Sequence, residues 1–321
     1  MNTNHAGANS VSFLQIDRCL AQACCSSLSH IPTPMLKDTE IRALVSLIGD
    51  DDREVLDHVH SKILAIGDQA IPYLEMEWEQ NMRPDVQKRI EDIIHHLQYE
   101  QLQRRLKTWA DEGGQDLLEG MWLIATYQYP DLDLAKLRRI MDQLFYETWL
   151  ELRPDQNPVD QINTINDVLF RKQRFAANTK HFHSPGNSMI NVVLESKRGN
   201  PITLCVVYML ICQKMKLPVY GVNMPNLFLL TYKDEGMQFY INAFSKGLTL
   251  TRKDIDNYLA SLNLRQLPVF YEPCSHLDIV RRALRNLIVS FEKANEEEKV
   301  EEVRNLLAQI SDEDVDGQVP E

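Results

Sequence analysis

The sequence is poor in basic residues. Its 321 residues include 34 lysines and arginines against 46 aspartates and glutamates, which gives a formal net charge of −12. Proteins that bind nucleic acid usually concentrate positive charge on one face to neutralise phosphates, and anionic membrane surfaces attract the same kind of basic patch. The composition therefore argues against both nucleic acid and a membrane surface as partners.

Paired cysteines and long apolar runs are also missing. The sequence has no Cys-x-x-Cys pair and no spaced Cys/His cluster, so no structural metal is predicted. Free thiols are typical of proteins in a reducing compartment. No stretch approaches the roughly 18 uninterrupted apolar residues of a membrane-spanning helix. We therefore expect a soluble cytoplasmic protein that does not cross a membrane. The six cysteines are Cys19, Cys24, Cys25, Cys205, Cys212 and Cys274.

The two ends of the chain differ from the middle in their predicted order. Residues 1–34 predict a disordered leader, with two origins left open: translation from Met1, or a start codon assigned too early with Met35 as the true start. Residues 291–321 hold 3 basic and 11 acidic residues, which predicts a solvated helix followed by an acidic disordered tail over residues 311–321. Between these ends, the 44% hydrophobic content is enough for a sizeable folded core.

Residues 35–110 predict helical hairpins, because apolar residues recur there at helical spacing. One such stripe consists of Ile71, Leu74 and Trp78. The octapeptide at 67–74 resembles a HEAT-type repeat, although a plain helical bundle that covers the next domain predicts the same helices. The adjacent histidines His95 and His96 are not spaced i, i+4, so no metal site is expected on this helix.

Residues 111–272 predict a second domain, in which helices come first and strands follow. Asn200 can cap a helix and Pro201 suits its first turn, and the residues that follow are apolar on nearly every face, as in a helix buried inside a domain. Three strand-like runs come next, over residues 219–224, 227–232 and 237–244. We therefore predict an α+β fold, predominantly α, with a buried central helix against a small antiparallel sheet.

Three segments of this domain resemble the SirB-type transglutaminase-like family. They are residues 187–204, the Leu-Pro-Val-Tyr-Gly-Val run at 217–222, and Ile-Asn-Ala-Phe at 241–244 with Lys-Gly soon after. The resemblance covers roughly residues 117–272 and implies a papain- or transglutaminase-like core that needs no cofactor. Members of this family often continue into helical hairpins of tetratricopeptide type, and residues 273–310 look like one.

The resemblance also implies where a catalytic triad would stand. Such sites need a thiol at the start of the central helix, where the helix dipole favours thiolate, and an imidazole and a carboxylate on neighbouring strands. Aligned with the family motifs, Pro201 occupies the position of the nucleophile, Leu227 that of the histidine and Asn242 that of the aspartate. Losing triad members lowers turnover by roughly four to six orders of magnitude, so no covalent catalysis of this type is expected.

An alternative nucleophile is Cys205, which lies one helical turn beyond Pro201 on the same face. His181 and His183 would then serve as replacement bases. The apolar neighbours of Cys205 predict a buried thiol with a raised pKa, which disfavours thiolate. The two histidines are also spaced as a His-x-His pair, but no carboxylate or cysteine stands nearby to complete a metal site.

The sequence thus predicts a non-catalytic scaffold or regulator that binds a protein or peptide. Helical-repeat surfaces commonly bind other proteins, and the groove left by a degenerate site is a second candidate surface. The alternative function is a cysteine-dependent hydrolase or amide transferase that uses Cys205.

Overall fold

The computed structural model describes residues 38–311 of the chain. The predicted leader, the alternative start at Met35 and all but the first residue of the predicted acidic tail lie outside the described residues. Within the described range the chain is mostly helical with a small antiparallel sheet, which confirms the predicted α+β, predominantly α class. No helix of residues 38–311 has the length and apolar character needed to cross a membrane.

The N-terminal helices pack around one small core. The second helix begins after Asp52, whose carboxylate accepts a hydrogen bond from the backbone N–H of Glu54 (2.9 Å), and it ends at Gly67, which adopts a positive φ of 73°. Cap and glycine together let the chain turn into the next helix. The helices are α1 (Asp38–Ser46), α2 (Arg53–Ile66), α3 (Ile71–Gln80) and α4 (Pro84–Asp111).

The predicted apolar stripe on α3 is buried only in part. Leu74 is fully buried, but Trp78 is 39% exposed. The indole N–H of Trp78 donates a hydrogen bond to Glu91 Oε1 on α4 (3.0 Å), so the ring lies along the α3–α4 surface instead of inside the core. The apolar stripe of α3 thus extends onto the partly exposed surface between α3 and α4.

Helix α4 belongs to two cores. Its apolar residues as far as Leu97 pack with α1, α2 and α3, whereas those from Leu102 onward pack in the main core of the chain. The helix ends near the predicted break, where Gly113 and Gly114 have positive φ. The predicted domain boundary at 110/111 lies at the end of the helix, but the division between the cores falls between Leu97 and Leu102, more than two turns earlier in α4.

The main core is built around α9 (Pro201–Lys214), whose apolar residues are buried on nearly every face. Helix α5 is buried at every position except Glu119, as expected for a helix that is apolar on nearly all faces. Beyond α7 the chain continues into a π-helical turn, Asp167–Lys172. These elements are α5 (Leu117–Thr126), α6 (Leu134–Trp149), α7 (Pro158–Asn166), β1 (Ala176–Ala177), α8 (Ile190–Ser196), β2 (Arg198–Gly199, parallel to β1) and α9 (Pro201–Lys214).

A four-stranded antiparallel sheet follows α9 in the order β3-β4-β5-β6. The third predicted strand, over 237–244, ends early at Asn242, because Ala243–Ser245 form a 3₁₀ turn. The short strand β6 and the helix after it were not predicted. The elements are β3 (Val219–Met224), β4 (Leu227–Asp234), β5 (Met237–Asn242), β6 (Leu248–Leu250) and α10 (Arg252–Ser261).

The two faces of this sheet cover different cores. Phe228, Leu230 and Tyr232 of β4 face α9 and join the main core, whereas Leu229 joins a second core that includes residues of α10. Successive side chains of a strand point to opposite faces, so this division follows from the pleat. The sheet is therefore covered by α9 on one face and by α10 on the other.

The C-terminal hairpin consists of α11 (His276–Ala294) and α12 (Glu297–Ile310). Its apolar residues belong to the same core as α5 and α9. The predicted boundary at 272/273 therefore does not separate two cores. Ser275 starts α11 by a reciprocal cap with Asp278, in which each side chain accepts a hydrogen bond from the other residue's backbone N–H.

A hydrogen-bonded cluster joins the N-terminal helices to this hairpin. His95 Nε2 lies 2.8 Å from Glu302 Oε1, Tyr127 donates to Glu302 Oε2 (2.6 Å), and Tyr99 donates to the backbone carbonyl of Glu302 (2.8 Å). The hydrogen bond to Glu302 raises the pKa of His95. Burial acts to raise the pKa of Glu302, but its hydrogen bonds with His95 and Tyr127 outweigh that effect and lower it.

This cluster predicts a pH-dependent stability. A raised pKa means that the contribution of His95 is complete below about pH 6.5 and is lost as the pH rises through the folded-state pKa; the lowered pKa of Glu302 means that its contribution is complete above about pH 4.5 and is lost at lower pH. We expect His95→Gln to lower the melting temperature more at about pH 5.5 than at about pH 8.5. A difference that stays constant over this range would show that His95 titrates as in the unfolded chain.

Candidate functional site

The start of α9 is held by a reciprocal cap. Asn200 Oδ1 accepts a hydrogen bond from the backbone N–H of Thr203 (2.9 Å), and Thr203 Oγ1 accepts one from the backbone N–H of Asn200 (3.1 Å). The Thr203 hydroxyl in turn donates to the backbone carbonyl of Asn187 (2.8 Å). These bonds fix the first turn of the central helix against the loop that precedes α8.

Gly199 permits this close packing. A Cβ atom at this position would lie 2.6 Å from Thr203 Oγ1 and 3.1 Å from a methyl carbon of Val193. Real Cβ atoms essentially never come as close as 2.6 Å to another heavy atom, so a side chain here would displace the capping threonine. The glycine therefore allows β2 and the first turn of α9 to meet.

Pro201 is the first residue of α9 and is partly exposed. The N-terminus of a helix carries a partial positive charge that stabilises a thiolate. A nucleophile would be activated here, but proline has no group that can attack a carbonyl or transfer a proton. The first position of α9 thus carries no nucleophile.

Leu227 is the first residue of β4 and pairs with Met224 across the hairpin. It packs against the core on the α10 side of the sheet, together with Leu229. Its side chain therefore points away from α9, and leucine has no titratable group. This strand position supplies no substitute for an imidazole beside Pro201.

Asn242 ends β5, and its side chain has a local structural role. Its Oδ1 accepts a hydrogen bond from the backbone N–H of Ser245 (3.1 Å), which caps the 3₁₀ turn Ala243–Ser245. It shares the sheet face of Tyr240, two residues earlier, which packs in the α10-side core. The amide therefore orients a turn instead of a catalytic base.

Cys205, the alternative nucleophile, is fully buried. Its thiol donates to the backbone carbonyl of Phe228 (3.7 Å). Burial raises the pKa of Cys205 far above that of a free thiol, and a hydrogen bond from the backbone of Ala243 offsets only part of this. Burial raises the pKa of Cys212 in the same way. Both cysteines are therefore expected to stay protonated and inaccessible near neutral pH.

His181 and His183 lie on an exposed loop before α8. The backbone carbonyl of His181 accepts a hydrogen bond from Asn187 Nδ2 (2.7 Å), and the ring of His183 packs edge-on against Phe182 (5.1 Å between centroids). The side chain of Cys205 is buried between α9 and the sheet, whereas both histidines lie on the exposed surface. No described group of three or more His, Cys, Asp or Glu side chains is arranged to hold a metal ion.

Asn187 organises this loop, a role that no sequence pattern had indicated. It is buried, and its amide N–H groups donate to the backbone carbonyls of His181 (2.7 Å) and Phe182 (2.9 Å) while its oxygen accepts from Asn178 (2.8 Å). Phe182 packs edge-on against Phe244 (6.0 Å between centroids) and is 45% exposed. An ordered loop with a partly exposed aromatic ring thus lies against the 3₁₀ turn after β5.

Two cavities lie elsewhere on the molecule. One, of about 370 Å³, is formed by α3 and α4 and is lined by Trp78, Glu75, Glu79, Glu91, Ile94 and His95, among others. The second, of about 440 Å³, lies where the ends of α6 and α9 meet and includes Trp149, Leu150, Arg153 and Leu217. The partly exposed Trp78 is one of the residues that line the α3–α4 cavity.

Comparison with known proteins bears on the central domain. Residues 135–285 match the family model described as the transglutaminase-like superfamily. The expected resemblance is confirmed at the level of that superfamily. The matched region begins in the first turn of α6, inside the domain expected from the sequence, and extends into α11, which fits the shared core of the domain and the C-terminal hairpin.

Several curated proteins are similar to parts of the chain. A UPF0162 protein of Xylella fastidiosa strain Temecula1 is 28% identical over 188 residues, which is 56% of this chain and 66% of the relative. F-box only protein 21 of Mus musculus is 30% identical over 103 residues, which is 30% of this chain and 16% of the relative. The chain thus spans just under two thirds of the Xylella relative's length. No solved structure matches the chain.

Proposed function

We propose that this chain, whose residues 135–285 resemble the transglutaminase-like superfamily, is a non-catalytic protein that binds a protein or peptide as a scaffold or regulator. The observation that carries the proposal is the first turn of α9. There a capped helix N-terminus packs closely against Gly199, and we take its first residue, Pro201, to stand where the thiol of an active relative would be. A domain that keeps its fold but lacks the reactive group can still bind other molecules, although it cannot catalyse the reaction.

The burial of Cys205, the alternative nucleophile, supports the same proposal. A cysteine nucleophile needs an accessible thiolate near a base. Cys205 is fully buried with a raised pKa, and His181 and His183 lie on an exposed loop. The alternative of a hydrolase or amide transferase that uses Cys205 would require α9 to separate from the sheet, which would expose the centre of the main core.

The finer identity of the parts belongs to this proposal. We assign the domain to the SirB type, with a degenerate triad at Pro201, Leu227 and Asn242, and we assign the flanking helices to HEAT-like and tetratricopeptide-like hairpins. The match to the mouse F-box only protein 21 spans 16% of that protein, so a similar segment is part of a much longer chain there. A cytoplasmic location and the absence of a cofactor complete the proposal.

Thiol labelling of the folded protein tests the catalytic alternative. We expect iodoacetamide near neutral pH to modify Cys205 and Cys212 at least about a hundredfold more slowly than in the unfolded protein, because burial removes both access and thiolate. Mass spectrometry of the individual peptides reads each site, and the unfolded chain supplies the control rate. Fast and selective modification of Cys205 in the folded state would favour the enzyme.

A transfer assay provides an independent check. Incorporation of a fluorescent primary amine into a glutamine-containing protein should not exceed the rate with heat-unfolded chain. Turnover by the folded protein that disappears in Cys205→Ser would overturn the non-catalytic assignment.

A further inference from the structure

The surface between α3 and α4 carries an aromatic floor. Trp78 is 39% exposed, and its indole is oriented by the hydrogen bond to Glu91 Oε1 (3.0 Å). Ile94 extends the apolar floor within the cavity of about 370 Å³. Gln87 Nε2 also donates to the backbone carbonyl of Trp78 (3.2 Å), which further fixes the last turns of α3 against α4. The ring is therefore held in place while its face remains partly open.

Carboxylates surround this floor. Glu75, Glu79 and Glu91 all line the cavity and are exposed. Among the described residues neither Glu75 nor Glu79 has an ion-pair partner, while one oxygen of Glu91 is used by the indole. At the far end His95 is hydrogen-bonded to Glu302, whose carboxylate balances the imidazole charge when the ring is protonated. The groove is thus negative around an aromatic surface.

This combination is complementary to a cationic side chain. An indole face attracts a guanidinium or ammonium group through its quadrupole, with tryptophan the most effective ring, and carboxylates pair with the same cation. A planar guanidinium can stack on the ring and hydrogen-bond to a carboxylate at once, which favours arginine over lysine. An acidic partner or an anionic lipid would be repelled by the same groups.

We infer that this α3–α4 groove is the docking site for a basic peptide segment of a partner protein, with an arginine side chain over Trp78 and within reach of Glu75 and Glu79. The inference deepens the proposed binding function and rests on it. It names the chemistry of the partner and places the contact on the N-terminal helices instead of the degenerate groove beside α9. The occupant is a protein segment because the groove lies along the two helices and is open to solvent.

Titration with a defined peptide tests the inference. The probe is an acetylated, amidated nonapeptide of alternating arginine and glycine that carries a fluorescent label, compared with the same peptide containing citrulline, which keeps the shape of arginine but removes its charge. We expect anisotropy to show binding of the arginine peptide and little binding of the citrulline peptide. Trp78→Leu should weaken binding about fivefold. Glu75→Gln combined with Glu79→Gln should weaken it by about as much.

Matched controls separate this site from the general attraction of an acidic protein. Trp149→Leu removes the other strongly exposed tryptophan, which is 55% exposed, from the second cavity. Glu112→Gln combined with Glu235→Gln removes two exposed carboxylates outside the groove. We expect both controls to bind as the unmodified protein does.

Three results would overturn the inference: equal binding of the two peptides, equal weakening by the control carboxylates, or full binding by Trp78→Leu. These outcomes leave the proposed function testable on its own, because thiol labelling of Cys205 and the amine-transfer assay do not involve α3 or α4. Melting temperatures of all variants show whether an altered affinity reflects altered folding, which is not expected at exposed positions.

Discussion

A cysteine introduced by Pro201→Cys should react with iodoacetamide on the order of a thousandfold faster than Cys205 in the same folded protein. The thiol would stand at the first position of α9, where the helix N-terminus stabilises thiolate and where the residue is partly exposed. Cys205 lies one turn deeper, fully buried and with a raised pKa. The difference between these positions thus comes from both access and ionisation.

Gln213→Cys is the matched control for the dipole. Gln213 lies on the last turn of the same helix and has the same intermediate exposure as Pro201. There the negative end of the helix disfavours thiolate, so the rate of labelling should reach half its maximum at a higher pH than for the Pro201→Cys variant. Identical pH profiles at the two positions would show that the start of α9 does not activate a nucleophile, and would remove the argument that Pro201 marks a lost catalytic position.

Reactivity at residue 201 should not produce amide transfer. Leu227 points to the α10 side of the sheet and Asn242 caps a turn, so the new thiolate would have no base to activate a second substrate. Labelling without turnover is therefore the expected result for Pro201→Cys. Such a result would show that a reactive thiol at residue 201 is not sufficient for turnover without a base beside it.

The start of α9 shows how much of the site the sequence could specify. An asparagine cap followed by proline and a run of apolar residues predicts a buried helix from local chemistry alone, and the structure has that helix at Pro201–Lys214. The burial of Cys205 follows from the same run. The face of the sheet on which Leu227 lies depends on the strand register and on α10, the helix that covers that face. Because α10 was not predicted, the sequence could not indicate where the Leu227 side chain points.

Other differences have equally specific causes. Leu97 and Leu102 of α4 are five residues apart, which turns the apolar stripe by about 140° around the helix, so the two leucines face different cores. The prediction treated the residues as one stripe and therefore missed this change of face. Trp78 fits the period of α3, but a period does not reveal a hydrogen bond from the indole to the neighbouring helix. Strand β6 has three residues, too few for its own sequence to predict a strand. Its extended conformation is defined by its pairing with β5.

The contact between Gly247 and Asn166 gives the largest expected loss of stability. Gly247 has a φ of 78°, and a Cβ atom there would overlap the side-chain amide of Asn166. That amide donates to the carbonyl of Gly247 (2.9 Å) and accepts a hydrogen bond from the fully buried Tyr208 (2.9 Å). Gly247→Ala would strain the backbone and displace an amide that holds the turn before β6 against the main core.

We expect Gly247→Ala to lower the free energy of unfolding by about 3 kcal/mol, of which roughly 1 kcal/mol reflects the positive φ and the rest the disrupted hydrogen bonds of the buried amide. Gly236→Ala is the control, because no atom lies within 4 Å of its Cβ position and a change within about 0.5 kcal/mol is expected. Urea denaturation measures both.

A double-mutant cycle with Asn166→Ala identifies the source of the loss. If overlap with the amide dominates, Gly247→Ala should cost about 1 kcal/mol in the background that lacks the amide, because only the backbone strain remains. A loss of about 3 kcal/mol in that background would assign the whole effect to the backbone. Equal stabilities of Gly247→Ala and Gly236→Ala would instead show that the turn adapts, and that the sheet and the main core are coupled less tightly than the Asn166 contacts indicate.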